Sequence, residues 1–174
     1  WLSFITSAGT YQEAKFDEDA DRLVAFYRNN GYIFARVGQP QLDVIKDSPD
    51  GKTREVSLKI PVDEGDSYKV GNFDFSGNTI VASDKLRPLF KIKDGDDYNE
   101  KKVRKGFEKA KELYGAAGYM EFVALPDLNA RCFDEESLKP DVNCAPDAKR
   151  DVVDVTLRVQ EGAQYFVNRI TFTG

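Results

Sequence analysis

Apolar residues along this chain switch between helical and strand spacing, and the switches divide it into repeated elements. Over residues 12–30, Phe16, Ala20, Leu23 and Tyr27 recur at the 3.6-residue period. Tyr11 is placed to staple onto Phe16, and Asn29-Asn30-Gly31 supplies a stop. The period then becomes two. Residues 39–46 put Leu42, Val44 and Pro40 on one side and Gln41, Asp43 and Ile45 on the other. Ser48-Pro49-Asp50-Gly51 turns the chain, and residues 55–62 return as a strand with Val56, Leu58, Ile60 and Val62 inward. Ahead of this, Trp1-Leu2-Ser3-Phe4-Ile5 reads as the tail of an apolar helix ended by Ser7-Ala8-Gly9. The predicted order is helix, helix, strand, strand.

The same order recurs further on, preceded by a strand. Residues 68–77 alternate as an opening strand. A short helix carries Leu86, Leu89 and Phe90, with Pro88 in conflict unless the helix bends there, and Asp94-Gly95-Asp96-Asp97 breaks it. A long helix from about Asn99 to Gly118 follows. Its stripe is Val103, Phe107, Ala110, Leu113 and Tyr114, with Tyr98 as staple. It matches the first long helix at an offset of 87, pairing Tyr11 with Tyr98, Tyr27 with Tyr114, and Gly31-Tyr32 with Gly118-Tyr119. The aromatic residues Phe26, Tyr27, Phe107 and Tyr114 are expected in cores, whereas Tyr32 and Tyr119 either brace the hairpin or face a partner.

Two joints link these units. Glu64-Gly65 before Tyr68 reappears as Glu161-Gly162 before Tyr165, each an acidic glycine turn between two strands, and the joints lie 97 positions apart. An offset of 97 against 87 for the helices leaves ten extra residues in the second unit, in the hairpin over residues 129–150. The domain reading is a first module over 1–66 that lacks its opening strand and the start of its first helix, a complete module over 67–162 with the hairpin insertion, and the opening strand of a third over 163–174. Without an initiator Met or signal peptide, the chain reads as an excised fragment. The spare strand over 165–172 is expected to pair with a neighbouring copy at high concentration.

Composition narrows the functional classes. Of 174 residues 41% are apolar, enough for ordinary cores, and the net charge of −5 disfavours nucleic-acid or anionic-membrane partners. There is no histidine, which removes the commonest general base and metal ligand. With no nucleophile elbow or glycine-rich phosphate loop either, the expectation is a protein without catalytic residues, metal or cofactor. The acidic runs Asp17-Glu18-Asp19 and Asp94–Asp97 sit where helix dipoles favour them. Cys132 and Cys144 both lie in the insertion. A disulfide there would tie off the hairpin, contributing about 2–3 kcal/mol by the chain-entropy argument, and would indicate an extracytoplasmic setting.

The order strand, helix, helix, strand, strand, together with several motifs, resembles the POTRA (polypeptide-transport-associated) domain. The motifs are Phe26-Tyr27-Arg28-Asn29-Asn30-Gly31-Tyr32, Asp63-Glu64-Gly65 with Tyr68 and Val70, Phe73-Asp74-Phe75-Ser76-Gly77-Asn78, and Leu113-Tyr114 with Gly118-Tyr119. The resemblance covers nearly the whole chain; the cysteine hairpin is a departure from it. It implies an α+β fold of tandem modules, each a three-stranded mixed sheet with two antiparallel helices on one face. It also implies a location at the periplasmic face of the bacterial outer membrane, with membrane contact only through a C-terminal barrel absent here. Implied partners are unfolded outer-membrane β-barrel proteins and accessory assembly lipoproteins. The implied site is a strand-addition edge at Gln41, Leu42, Asp43, Val44, Ile45 and Lys46 and at Leu128, Asn129, Ala130 and Arg131. The competing function is a rigid spacer or docking scaffold with no client contact.

Overall fold

A computed structural model describes residues 11–12, 15–134, 139–140, 143–145 and 149–173. The apolar segment at residues 1–9 and much of the cysteine hairpin lie outside them. The chain divides into two compact units, Trp1–Asp66 and Ser67–Gly174.

In the first unit, α1 (Phe16–Arg28) carries Asp17, Glu18 and Asp19 in its first turn, where their charge complements the helix N-terminus. Phe16 is buried, and Asp19 is buried with its carboxylate on the Arg22 guanidinium at 2.9 Å. Phe26, expected in the core, is 61% exposed. The hairpin forms as two ladders. β1 (Arg36–Val37) pairs with β4 (Val62–Asp63), and β2 (Gln41–Asp47) pairs with β3 (Arg54–Lys59). Pro40 and Pro61 interrupt what the alternation predicted as continuous strands, because proline cannot donate to a ladder and Gly38 closes tightly on the Pro61 ring. The register slips by one residue across this break and again at a bulge at Ile45. Val56 and Val62, expected inward, are exposed, as are Leu42, Val44 and Ile45.

The second unit is built on a three-stranded sheet in the order β5 (Lys69–Ser76), β9 (Val152–Gln160), β6 (Val123–Ala130). β9 lies parallel to β5 and antiparallel to β6. On one face lie α2 (Ser83–Leu86), a 3₁₀ turn over Arg87–Leu89, and α3 (Glu100–Ala116). The Pro88 conflict is resolved by that switch from α to 3₁₀, with the proline early in the turn. The Asn99 side chain caps α3 by accepting from the Lys102 amide at 2.9 Å.

The α3 stripe that reaches the sheet is Val103, Gly106, Ala110 and Tyr114; Leu113 is exposed. At Gly106 the helix approaches so closely that a Cβ would collide with the Phe90 ring. Alternate residues of β9, Val153, Val155, Leu157 and Val159, complete the core. Tyr114 stacks on Phe122 at 4.2 Å and meets Tyr119 edge-on. β7 (Phe133–Asp134) and β8 (Lys139–Pro140) form a small ladder near the Cys132–Cys144 disulfide, whose Cα atoms are 5.4 Å apart. The stretch after Gly162, expected as a strand, has no ladder partner among the described residues. It is tied to the end of α3 by the Tyr165 amide on the Gly118 carbonyl and the Gln164 side chain on the Ala117 carbonyl.

Candidate functional site

Two of the three strands in the second sheet are outer strands, and they differ in how much of their outer backbone is free. The outer side of β5 is partly covered by the loop that follows Ile92. Gly95 donates to the Val70 carbonyl at 2.7 Å, Val70 donates to Asp96, and Tyr98 donates to Tyr68. The loop is braced internally by the Lys93 amide on the Asp96 carboxylate, a bond that, with Lys102 nearby, holds that carboxyl below the usual range. Asp97 pairs with Lys69 at 3.0 Å.

On β6 the ladder sets a strict alternation. The Arg131 amide donates to the Val152 carbonyl at 2.8 Å, so in this antiparallel pairing the odd-numbered residues turn their amides and carbonyls toward β9. The even-numbered ones, Ala124, Pro126, Leu128 and Ala130, turn theirs outward. Side chains alternate as well. Ala124 and Ala130 are buried, Ala124 in the cluster with Ala110 and Tyr114 of α3, and Pro126 borders a groove between β6 and α3. Val123, Leu125, Asp127 and Asn129 lie on the sheet face opposite the helices and are exposed. Asp127 pairs there with Arg158.

The structure sorts the sequence-predicted edge residues unevenly. Leu128, Asn129 and Ala130 are on outer strand β6. Arg131 lies just beyond it and is engaged by Asp154, which accepts from both Nε and Nη2. That guanidinium, followed by burial acting the other way, determines the Asp154 carboxyl's position, which is well below the ordinary value. The same carboxylate accepts from the Asn72 amide at 2.7 Å, where the β5–β9 register shifts. In the first unit, Gln41, Leu42, Asp43, Val44, Ile45 and Lys46 all lie on β2, but the bulge at Ile45 breaks the regular row that a paired strand requires.

The joint residues proved more connected than their turn-forming role suggested. In the first unit Tyr27 donates its hydroxyl to Glu64 at 2.7 Å, and the bond to that carboxylate raises the phenol's pKa. In the second, Tyr114 donates to Glu161 at the same distance. Glu161 also accepts from the Ile80 amide at 2.8 Å, the Thr79 amide at 2.9 Å and the Thr79 hydroxyl. Burial pushes its carboxyl upward, but the four donors outweigh that and bring it to about 2. Burial, then Glu161, raises the Tyr114 phenol in turn. Gly65 and Gly162 follow these glutamates with φ of 63° and 71°, a left-handed turn that suits glycine. Tyr68 is buried, and Tyr165 is half-exposed with its hydroxyl on Glu121 at 2.6 Å. The recurrence of Tyr27 with Tyr114 and Glu64 with Glu161 was the available signal for this pairing.

Comparison with known proteins accounts for the recurrence. The family model described as "Surface antigen variable number repeat" (POTRA) matches residues 3–65 and again 68–162. The chain belongs to the POTRA family. Its POTRA units are similar to a region of the outer membrane protein assembly factor BamA of Neisseria meningitidis serogroup B, with 28% identity over 173 residues, 99% of this chain and 19% of the relative. BamA of Buchnera aphidicola is 26% identical over the full chain and 25% of its own length. The chain thus spans a quarter or less of these curated relatives, whose names are those of assembly factors rather than enzymes. Among solved structures, the POTRA3-5 crystal structure of Haemophilus influenzae BamA has the same fold, with a TM-score of 0.64 at 20% identity, covering 89% of this chain and 53% of that one. BamA from Haemophilus ducreyi lacking POTRA domains 1-3 gives a TM-score of 0.58 at 17% identity, over 89% and 24%. No helix among the described residues is long and apolar enough to cross a membrane.

Proposed function

We propose that this chain is the periplasmic POTRA region of an outer-membrane protein assembly factor, and that it receives unfolded β-barrel segments by strand addition at β6 and docks accessory assembly subunits. One observation carries the reading: the outward row of β6 is free of backbone partners among the described residues, whereas the opposite outer strand is partly covered by the Asp94–Tyr98 loop. An added strand bonds main chain to main chain, so it accommodates clients of differing sequence. The similarity to assembly factors supports the client class.

The parity of β6 supplies a clean test. Proline at Leu128 removes an outward amide while leaving the ladder to β9 intact. An extended barrel-strand peptide titrated into the ¹⁵N-labelled chain is expected to shift β6 resonances, and Leu128→Pro to weaken that binding about five- to tenfold with the remaining spectrum preserved. Shifts elsewhere, with β6 silent, would sink the proposal.

A second reading, a rigid spacer, is favoured by the tyrosine–glutamate bond that fastens each joint to its own module. Absence of peptide binding at millimolar concentration would leave that reading in place.

A further inference from the structure

We infer that the rung at Pro126, through the groove beside it, sets the register of strand addition at β6 and selects an extended segment with a large apolar side chain at that rung; this rests on the strand-addition reading above. Pro126 lies in the outward row, in the middle of the strand, where it is paired with Leu157 across the sheet. Its nitrogen faces the open edge and carries no hydrogen, while its carbonyl also faces outward and can accept. Outward donors therefore come from Ala124, Leu128 and Ala130 with a gap between them. An incoming residue opposite Pro126 can donate but finds nothing to donate to its own carbonyl.

What lies beside the gap offsets it. The residue opposite Pro126 shares its side-chain direction and points toward the helix face. There the groove between α3 and β6 has a volume of about 300 Å³, lined by the apolar Val103, Phe107, Ala124, Pro126 and Leu157 and by Arg104. Arg104 is exposed and carries no ion pair among the described residues. Loss of one hydrogen bond weakens binding by about five- to tenfold. Burial of a leucine- or phenylalanine-sized side chain strengthens it by about ten- to a hundredfold. A client is thus driven to place its largest apolar residue at this rung, and a slip by one residue would turn that side chain onto the solvent face.

The test uses a set of nine-residue polar, extended peptides, each with one phenylalanine at a different position and a nitroxide at the N-terminus. Paramagnetic broadening on the ¹⁵N-labelled chain reads the register. The broadened region is expected to move along β6 in step with the phenylalanine, keeping it opposite Pro126. Pro126→Ala restores an outward amide without touching the ladder. It is expected to bind each peptide about five- to tenfold more tightly than the native chain, with the register still following the phenylalanine. Binding to β6 with a register indifferent to phenylalanine in the native chain, or with affinity unchanged in Pro126→Ala, overturns this inference and leaves strand addition standing. Failure of every peptide to bind both chains overturns both.

Discussion

Tyr114→Ala is expected to lower the stability of the second module by about 3–5 kcal/mol, the range for removing a large aromatic side chain from a packed core. Tyr114 is fully buried, stacks on Phe122, and belongs to the cluster with Leu86, Ala110 and Val159. The substitution leaves a cavity and also removes one of the four donors to Glu161. For a domain of this size the fall in Tm would be roughly 15–25 °C. Tyr114→Phe separates the two contributions, since it keeps the stacking and deletes the hydroxyl, at an expected cost of about 1 kcal/mol. Calorimetry of both variants checks the pair. A Tyr114→Ala loss no greater than that of Tyr114→Phe would contradict the core role assigned to the ring.

Glu161→Gln is expected to cost roughly 1–2 kcal/mol at neutral pH, and the cost is expected to disappear in acid. The folded carboxyl titrates at about 2, below its ordinary value of 4.5. A depressed folded pKa contributes stability above the unfolded value that is lost as pH falls through the folded one. The full shift corresponds to more than 3 kcal/mol, but the group is largely open to solvent screening, so the smaller figure applies. Denaturant unfolding of native and variant chains between pH 7 and 2 should give curves that converge below about pH 4.5 and meet near pH 2. A difference independent of pH would show that packing, rather than charge, accounts for the glutamate's contribution.

Much of this was legible in the residues. The helical stripe from Val103 to Tyr114, the opening strand before Gly77 and the cysteine pair all depend on local periodicity or turn chemistry, and the structure contains each of them. Local patterns do not report what lies across a gap. Phe26 and Leu113 fit apolar stripes yet are exposed, because a stripe is buried only where another element covers it. The break in the first hairpin depends on Pro61 meeting Gly38 on the opposite arm. In the candidate site, the position of β6 at the sheet edge followed from the family order. Its parity, the groove beside Pro126 and the loop over β5 depend on distances between segments remote in sequence. The same holds for Glu161, which meets Thr79 from 82 positions away.

The central position of β9 bears on how the module forms. β5 and β6 are not neighbours in the sheet; the ladder partner of each is a strand made after both, and Asn72 meets Asp154 across 82 positions. Early in folding the hairpin of β6 with β9 closes over a comparatively short span, while docking of β5 requires the longest loop closure in the unit and is expected to come last. Until β9 is in place, β6 has two unpaired sides and β5 lacks a partner on the side that β9 will occupy. A module emerging N-terminus first would therefore remain an open acceptor of foreign strands until its final segment arrives.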